Sequence, residues 1–510
     1  MLSRMALVAG FVLLTGCLGS ATSTVKSFIP GKLNQDEPIL AQLDKDYKAP
    51  LFAVGADVDR QRNQSSGLGL ISDSKLEGYL NEQLEKLKLA SGFANLPGRA
   101  YLFADTSFGA RASADGNIYI PYAVILDLES TDEMAALLAH ELAHTIRGHS
   151  NSELFVAVQK KALSATALVA GLRKNDVGGM RDSDAKALQK TLGSLMVADG
   201  FINPGWTRMQ ESEADKLGLD IMIAAGYNPD GMFVLLDKVA RWEEKNRQQQ
   251  HERNAIVEKA LGSIQLTDDK TALGQAVNGY FNQGATKIGA FVDSFNKDHD
   301  SAVSRYDSLL TYTDLHYASA AAPALKKQSW NAVARGGSSK AMLQALEKTD
   351  KARVAIAQGD LRTGEQLINK AVTRQTNNQN FVRQTFYELR AAQNKNDAMR
   401  DNLRMGMDGQ YPSLFLHIEN IRLKGNGDAK LNAADATHLV KVFDSYGRPA
   451  DYYNDVLTLL SSSEIKSQVL AMQAECMAKY AGEGISCNVG EDAGEQKNDY
   501  SYKGLMKSFL

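Results

Sequence analysis

At 510 residues the chain exceeds what one ordinary hydrophobic core holds, so two or three domains are expected. Apolar residues make up 44% and charged residues 23%, the balance of a folded globular protein. The formal net charge of −3 supplies no basic field, which argues against nucleic acid as a partner.

The chain opens on an export pattern. Arg4 gives a positive start, and residues 5–14 form an apolar stretch too short to span a bilayer. Leu14-Thr15-Gly16-Cys17 follows and resembles a bacterial lipobox. Residues 1–16 then read as a lipoprotein signal peptide, with Cys17 as the lipidated residue. Leu18, in place of Asp, points to the outer membrane by analogy with sorting rules. Residues 17–65 are mixed and polar and read as a tether and N-terminal segment. No later run reaches about 18 apolar residues.

From Asp73 the pattern turns helical, with Leu76, Tyr79, Leu80, Leu84, Leu87 and Leu89 as its apolar positions. Residues 100–103 and 116–120 are short β-prone runs. Thr131-Asp132-Glu133 offers a cap and an acidic first turn for a helix over 132–147, and Gly148 is its stop. Helical patterns follow over 154–172 and 182–198, joined through Gly178-Gly179, a hinge or a plain turn. Another covers 208–225, is broken by Gly226-Tyr227-Asn228-Pro229, and resumes over 230–262.

Beyond about residue 325 helical patterning is nearly continuous. Ala355, Gly359, Gly364 and Ala371 occupy small-residue positions of a helix-turn-helix. Polar turns near Gly359, Asn394 and Gly427 recur about every 34 residues, the period of tetratricopeptide-like helical pairs. An unrelated helical bundle is the alternative. Cys476 and Cys487 are expected to pair in an oxidising compartment, with two buried thiols as the alternative. The expected fold class is mainly α. A small β-sheet belongs to residues 66–320, and residues 321–510 form an all-α C-terminal domain.

His140-Glu141-Leu142-Ala143-His144 carries the chemistry. On a helix, residues four apart share a face, so both imidazoles reach one metal ion. Zinc with three protein ligands and one open position lowers the pKa of a water there to about 7. Glu141 is placed to act as general base on that water. A third ligand is required. His149 would point away from the other two on a continuing helix, so it reads as structural. Glu211-Ser212-Glu213-Ala214-Asp215 places Glu211 and Asp215 on one helical face. One carboxylate as ligand, and another fixing a ligand histidine, is ordinary metal-site construction. An acidic helix start is the alternative.

Taken together, HELAH on a helix, ESEAD 67 residues after His144, and then Gly218 resemble the HtpX and CAAX prenyl protease type I family of zinc metallopeptidases. The likeness covers about residues 70–310 and is nearest to periplasmic members of the BepA and LoiP type. The resemblance implies a zincin-like peptidase domain binding one Zn2+, with Glu211 as third ligand and Asp215 as the acid behind a ligand histidine. It prefers Glu211 over Glu213. It also implies catalytic roles for His299 and Arg305, the histidine aiding the transition state or capping the metal and the arginine orienting the site. The chain carries Asp300 where that family usually has Pro. No role is assigned to His251, His316, His417 or His438.

The strand read at Asn117, Ile118, Tyr119 and Ile120 is the expected edge for an extended substrate. The expected activity is zinc-dependent endopeptidase cleavage of misfolded or unassembled envelope proteins. The C-terminal helices would recruit clients or outer-membrane assembly machinery. Two other readings are a latent or inactive peptidase acting as chaperone or scaffold, and a metal-binding lipoprotein without hydrolytic function.

Overall fold

The computed structural model of the chain describes residues 33–149, 208–244, 302–480 and Cys487, apart from residues 46, 48–52, 66–67, 107–108, 243, 321, 358, 425–430 and 462. Cys17, Gly178-Gly179, the helical patterns over 154–172 and 182–198, His299 and Gly427 lie outside the described residues.

Two short helices, α1 (Ile39–Gln42) and α2 (Ala56–Asn63), fall within the stretch read as a tether. Both are bound to the body. The Leu40 N–H donates to Asp220 at 2.9 Å, and buried Asp59 accepts from Tyr119 and Asn117 at 2.7 and 2.8 Å. This part of residues 17–65 is therefore packed structure, held by hydrogen bonds to distant residues that local pattern does not show.

The sheet holds β1 (Leu70–Ile71), β2 (Ala100–Phe103), β3 (Arg111–Ala112) and β4 (Ile118–Pro121), in the order β1-β2-β4-β3. β2 and β4 are parallel, and the outer strands pair antiparallel. Every residue of β2 and β4 is buried, so these strands show no alternation of apolar and polar positions. β4 is interior. Arg111 and Ala112 pair onto Tyr119 and Ile118, which removes Asn117–Ile120 as the exposed edge. The free edge on that side is β3.

Between β1 and β2 runs α3 (Ser74–Ser91), capped by the Asp73 carboxylate, which accepts the Lys75 and Leu76 N–H groups. Leu76, Leu80, Leu84 and Leu87 are fully buried, whereas Leu89 is 66% exposed. Leu89 stands two residues past Leu87, off the stripe that the four leucines share.

After α4 (Tyr122–Asp127) comes α5 (Thr131–Ile146). Its cap is Ser130, one residue before the expected Thr131. The Ser130 Oγ accepts the Glu133 N–H at 3.1 Å, and the Glu133 carboxylate takes the Ser130 hydroxyl at 2.9 Å. Residues 131–145 of α5 are all buried, so the helix crosses the core. Gly148, at φ +59°, ends it in the left-handed region that glycine tolerates.

α6 (Arg208–Ala224) packs along α5, followed by α7 over 230–242 and α8 (Ala302–Tyr317). Gly218 makes the closest approach. A Cβ there would stand 3.1 Å from the His140 nitrogen and 3.2 Å from the Ala139 carbonyl carbon, so a side chain would push α6 off the metal-site helix.

The rest of the described chain is helical: α9 (Lys327–Ala334), α10 (Gly337–Ala357), α11 (Leu361–Ala371), α12 (Asn380–Ala392), α13 (Asn396–Met407), α14 (Leu414–Lys424), α15 (Ala433–Ser445), α16 (Tyr453–Ser461) and α17 (Lys466–Tyr480). α10 and α11 turn at Gly359, and α12 and α13 at Asn394, both with positive φ. The apolar core does not break at residue 321. It runs on through Trp330, whose indole donates to the Leu128 carbonyl at 2.8 Å, and through α12 to Leu389. A separate apolar cluster spans Leu414 to Cys487 and contains the Cys476–Cys487 disulfide. Among the described residues no helix is long and apolar enough to cross a membrane.

Candidate metal centre

α5 presents His140 and His144 one turn apart. Their rings meet edge to face at 4.8 Å, and their Nε2 atoms lie 3.1 Å from each other. α6 brings in Glu211, whose Oε2 lies 3.6 Å from His140 Nε2 and whose Oε1 lies 3.6 Å from His144 Nε2. All three side chains are buried, and their potential ligand atoms lie within 4.8 Å of one another. Two imidazoles and a carboxylate converging on one point are a donor set that suits a metal ion.

The acids behind the ligands fit the same purpose. Asp215 Oδ1 sits 2.9 Å from His140 Nδ1, which places the imidazole proton on Nδ1 and leaves Nε2 for an ion. Arg305, from α8, holds both acids. Its Nε and Nη2 donate to Asp215 at 2.7 Å each, and its Nη1 lies 2.8 Å from Glu211. Burial would raise the Asp215 carboxyl, but Arg305 and then His140 outweigh it and hold the group well below the usual carboxylate range.

Glu141 follows the first ligand and is 4% exposed. Burial pushes its carboxyl up to about 7, with the Glu211 charge adding to the shift and His140 opposing it. The Ala112 backbone of β3 hydrogen-bonds this carboxylate. The general-base candidate thus lies between the ligand set and the sheet edge.

The model for peptidase family M48 matches residues 74–308. Metalloprotease LoiP of Escherichia coli is 29% identical over 146 residues, 29% of this chain and 52% of that protein. Metalloprotease YcaL of the same organism is 26% identical over 241 residues, 46% of this chain and 85% of that protein. The Escherichia coli β-barrel assembly-enhancing protease is 26% identical over 172 residues, 33% of this chain and 34% of that protein. The chain thus spans about half the length of LoiP and about a third of the assembly-enhancing protease. Residues 74–308 are an M48 metallopeptidase domain.

Within this M48 domain the structure brings together His140, Glu141, His144, Glu211, Asp215 and Arg305, while His299 lies outside the described residues. It corrects the direction expected of His149. α5 stops at Ile146 and the chain turns at Gly148, so His149 folds back until its Nδ1 is 2.8 Å from His144 Nδ1. Glu213 is paired with Arg147, and its Oε2 lies 3.5 Å from His149 Nε2. These three residues sit behind the ligand set on the His144 side. The reading of the chain as a continuous helix misses them, although the Gly148 stop before His149 is the signal that finds them.

Proposed function

We propose that this chain is a zinc-dependent metalloendopeptidase that cleaves misfolded or unassembled envelope proteins. His140, His144 and Glu211 would hold the ion, with Asp215 and Arg305 fixing the ligands from behind. Bound there, zinc supplies a Lewis acid that polarises a peptide carbonyl and acidifies the attacking water. Glu141 takes a proton from that water as it adds to the carbonyl carbon, then passes the proton to the departing amine. The observation that carries this reading is the buried two-imidazole, one-carboxylate tripod with Glu141 beside it, inside the M48 match.

β3 is the strand that would seat an extended substrate, because it is the outer strand on the side of Glu141 and its Ala112 backbone touches that carboxylate. Main-chain pairing of this kind reads backbone more than side chains, which suits unfolded segments. His299 is assigned the transition-state or capping role by resemblance. The envelope setting rests on the lipobox at Cys17 and on likeness to an enzyme named for β-barrel assembly. In this reading Cys17 anchors the protein by lipid to the outer membrane, in the periplasm. The helices beyond residue 321 then form a tetratricopeptide-like module that recruits clients or assembly machinery.

The test is cleavage of unfolded casein by the purified full chain. Wild type is expected to cleave, to stop on chelation and to resume when zinc is restored, while Glu141→Gln stays inactive. Equal cleavage by wild type and Glu141→Gln, or indifference to chelation, would overturn the reading.

A further inference from the structure

The two histidines of the candidate centre are not supported alike. His140 leans on Asp215, a carboxylate on α6 that is itself clamped by Arg305. Behind His144 stands a third imidazole. His149 Nδ1 lies 2.8 Å from His144 Nδ1, the two rings meet at 4.9 Å, and both side chains are buried, with residue exposures of 1% and 3%. Beyond His149 come Glu213 at 3.5 Å and then Arg147, ion-paired to Glu213. Arg147 and His149 flank the glycine that ends α5, and Glu213 comes from α6 between Glu211 and Asp215.

We propose that His149 is a positioning residue for the metal ligand His144, oriented in turn by the Glu213–Arg147 pair. This rests on His144 binding metal through Nε2. That mode requires the Nδ1 of His144 to carry the proton and donate it. The atom facing it is His149 Nδ1, which must then be the acceptor. The proton of His149 is left on Nε2, directed at the Glu213 carboxylate. One proton arrangement therefore suits the whole line: His149 Nε2 turns its proton toward Glu213 at 3.5 Å, His149 Nδ1 accepts from His144, and His144 presents a lone pair to the ion. Arg147 holds Glu213 in place. The ESEAD segment thus has three working acids, Glu211 as ligand, Asp215 behind His140, and Glu213 at the end of the line behind His144. The residues at 213 and 149 share no helical face with the ligands, which is why they need the turn at Gly148 to take part.

Zinc affinity of the full chain, measured against a chromophoric chelator, tests this together with the visible spectrum of the cobalt-substituted protein. His144→Ala is expected to abolish tight binding, which checks the underlying site. His149→Ala is expected to weaken zinc binding by about 10- to 100-fold and to alter the cobalt spectrum, while metal-free unfolding stays near wild type. His149→Asn, whose side-chain oxygen offers an acceptor near the position of Nδ1, is expected to restore most of the affinity. Should His149→Ala fail to fold, Glu213→Ala takes its place, with a smaller loss of affinity expected. Wild-type affinity and an unchanged cobalt spectrum in the variant that folds would overturn the role of His149 and leave the zinc site standing. Tight binding that survives His144→Ala would instead sink the site reading itself.

Discussion

The M48 domain and the C-terminal apolar cluster both bury carboxylates, and Glu141 of the M48 domain is held differently from the acids of the cluster. In the C-terminal cluster Glu419 is paired with Arg422, and Glu475 with both Arg448 and Lys479. Each is a closed arrangement in which a buried charge meets its counter-charge directly. In the M48 domain Glu141 is 4% exposed, has the Glu211 carboxylate as a neighbour, and forms no ion pair among the described residues. Burial there moves a pKa instead of finding a partner. Paired buried acids maintain a fold, whereas a buried acid without a counter-ion, set beside a ligand tripod, costs stability and marks chemistry.

The largest effect that would break this contrast is at Glu141 itself. Glu141→Gln removes the general base and should lower peptide hydrolysis by about 100- to 10,000-fold. The same change removes a buried charge that burial disfavours, so the metal-free protein should melt at the wild-type temperature or above it. A fall in melting temperature would place Glu141 among the structural acids and collapse the distinction. Glu475→Gln is the converse experiment. It removes the carboxylate that faces Lys479, which is 4% exposed, and leaves Arg448 only its Asp444 pair, and should cost about 3–5 kcal/mol in denaturant unfolding while leaving zinc affinity alone.

How much of this was legible in the sequence follows the range over which each feature is set. His140 and His144 sit four apart on a helix whose apolar surroundings announce it, and the structure places their Nε2 atoms 3.1 Å from each other. Glu211 and Asp215 are equally local as an i, i+4 pair, yet the histidine each serves is decided by how α6 crosses α5, which Gly218 permits. His149 was hidden because its direction was read as if the helix ran on past the Gly148 stop, whereas the backbone there turns to φ +59°. The sheet edge was hidden for another reason. β3 is two residues long, too short for any pattern, and its pairing outside β4 is set by tertiary contacts. The helices α1 and α2 escaped notice because Asp220, Asn117 and Tyr119, far along the chain, hold them.

A smaller effect separates the two regions through covalent structure. The Cys476–Cys487 bridge closes a loop of sequence separation 11 in the C-terminal cluster. Replacing both cysteines with Ser should cost about 2–3 kcal/mol of stability by the loop-entropy argument. Peptidase activity on casein should be unchanged. A parallel loss of activity and stability would mean that the C-terminal cluster governs the metal centre, and the two regions would have to be treated as one unit.

The smallest effect lies at Glu388, which stands between the two kinds of acid. It is buried on α12, with Arg353 Nε at 3.5 Å and the Gln384 amide donating at 3.2 Å. Burial nevertheless outweighs both and raises its pKa above 4.5. The sign of the resulting pH dependence is fixed. Below the unfolded value the carboxyl is protonated in both states and contributes no penalty. As pH rises from that value through the raised folded one, the unfolded chain ionises first and the folded state loses stability relative to it. Above the folded value the penalty is complete. Unfolding of wild type and Glu388→Gln should therefore diverge as pH rises from the unfolded value through the raised folded one, with the variant gaining relative to wild type as pH increases. A difference that stays flat across that window would show that Arg353 neutralises Glu388 as fully as Arg448 and Lys479 neutralise Glu475. Glu388 would then belong with the charge-matched acids, and Glu141, raised by burial beside the ligand tripod, would stand apart from it.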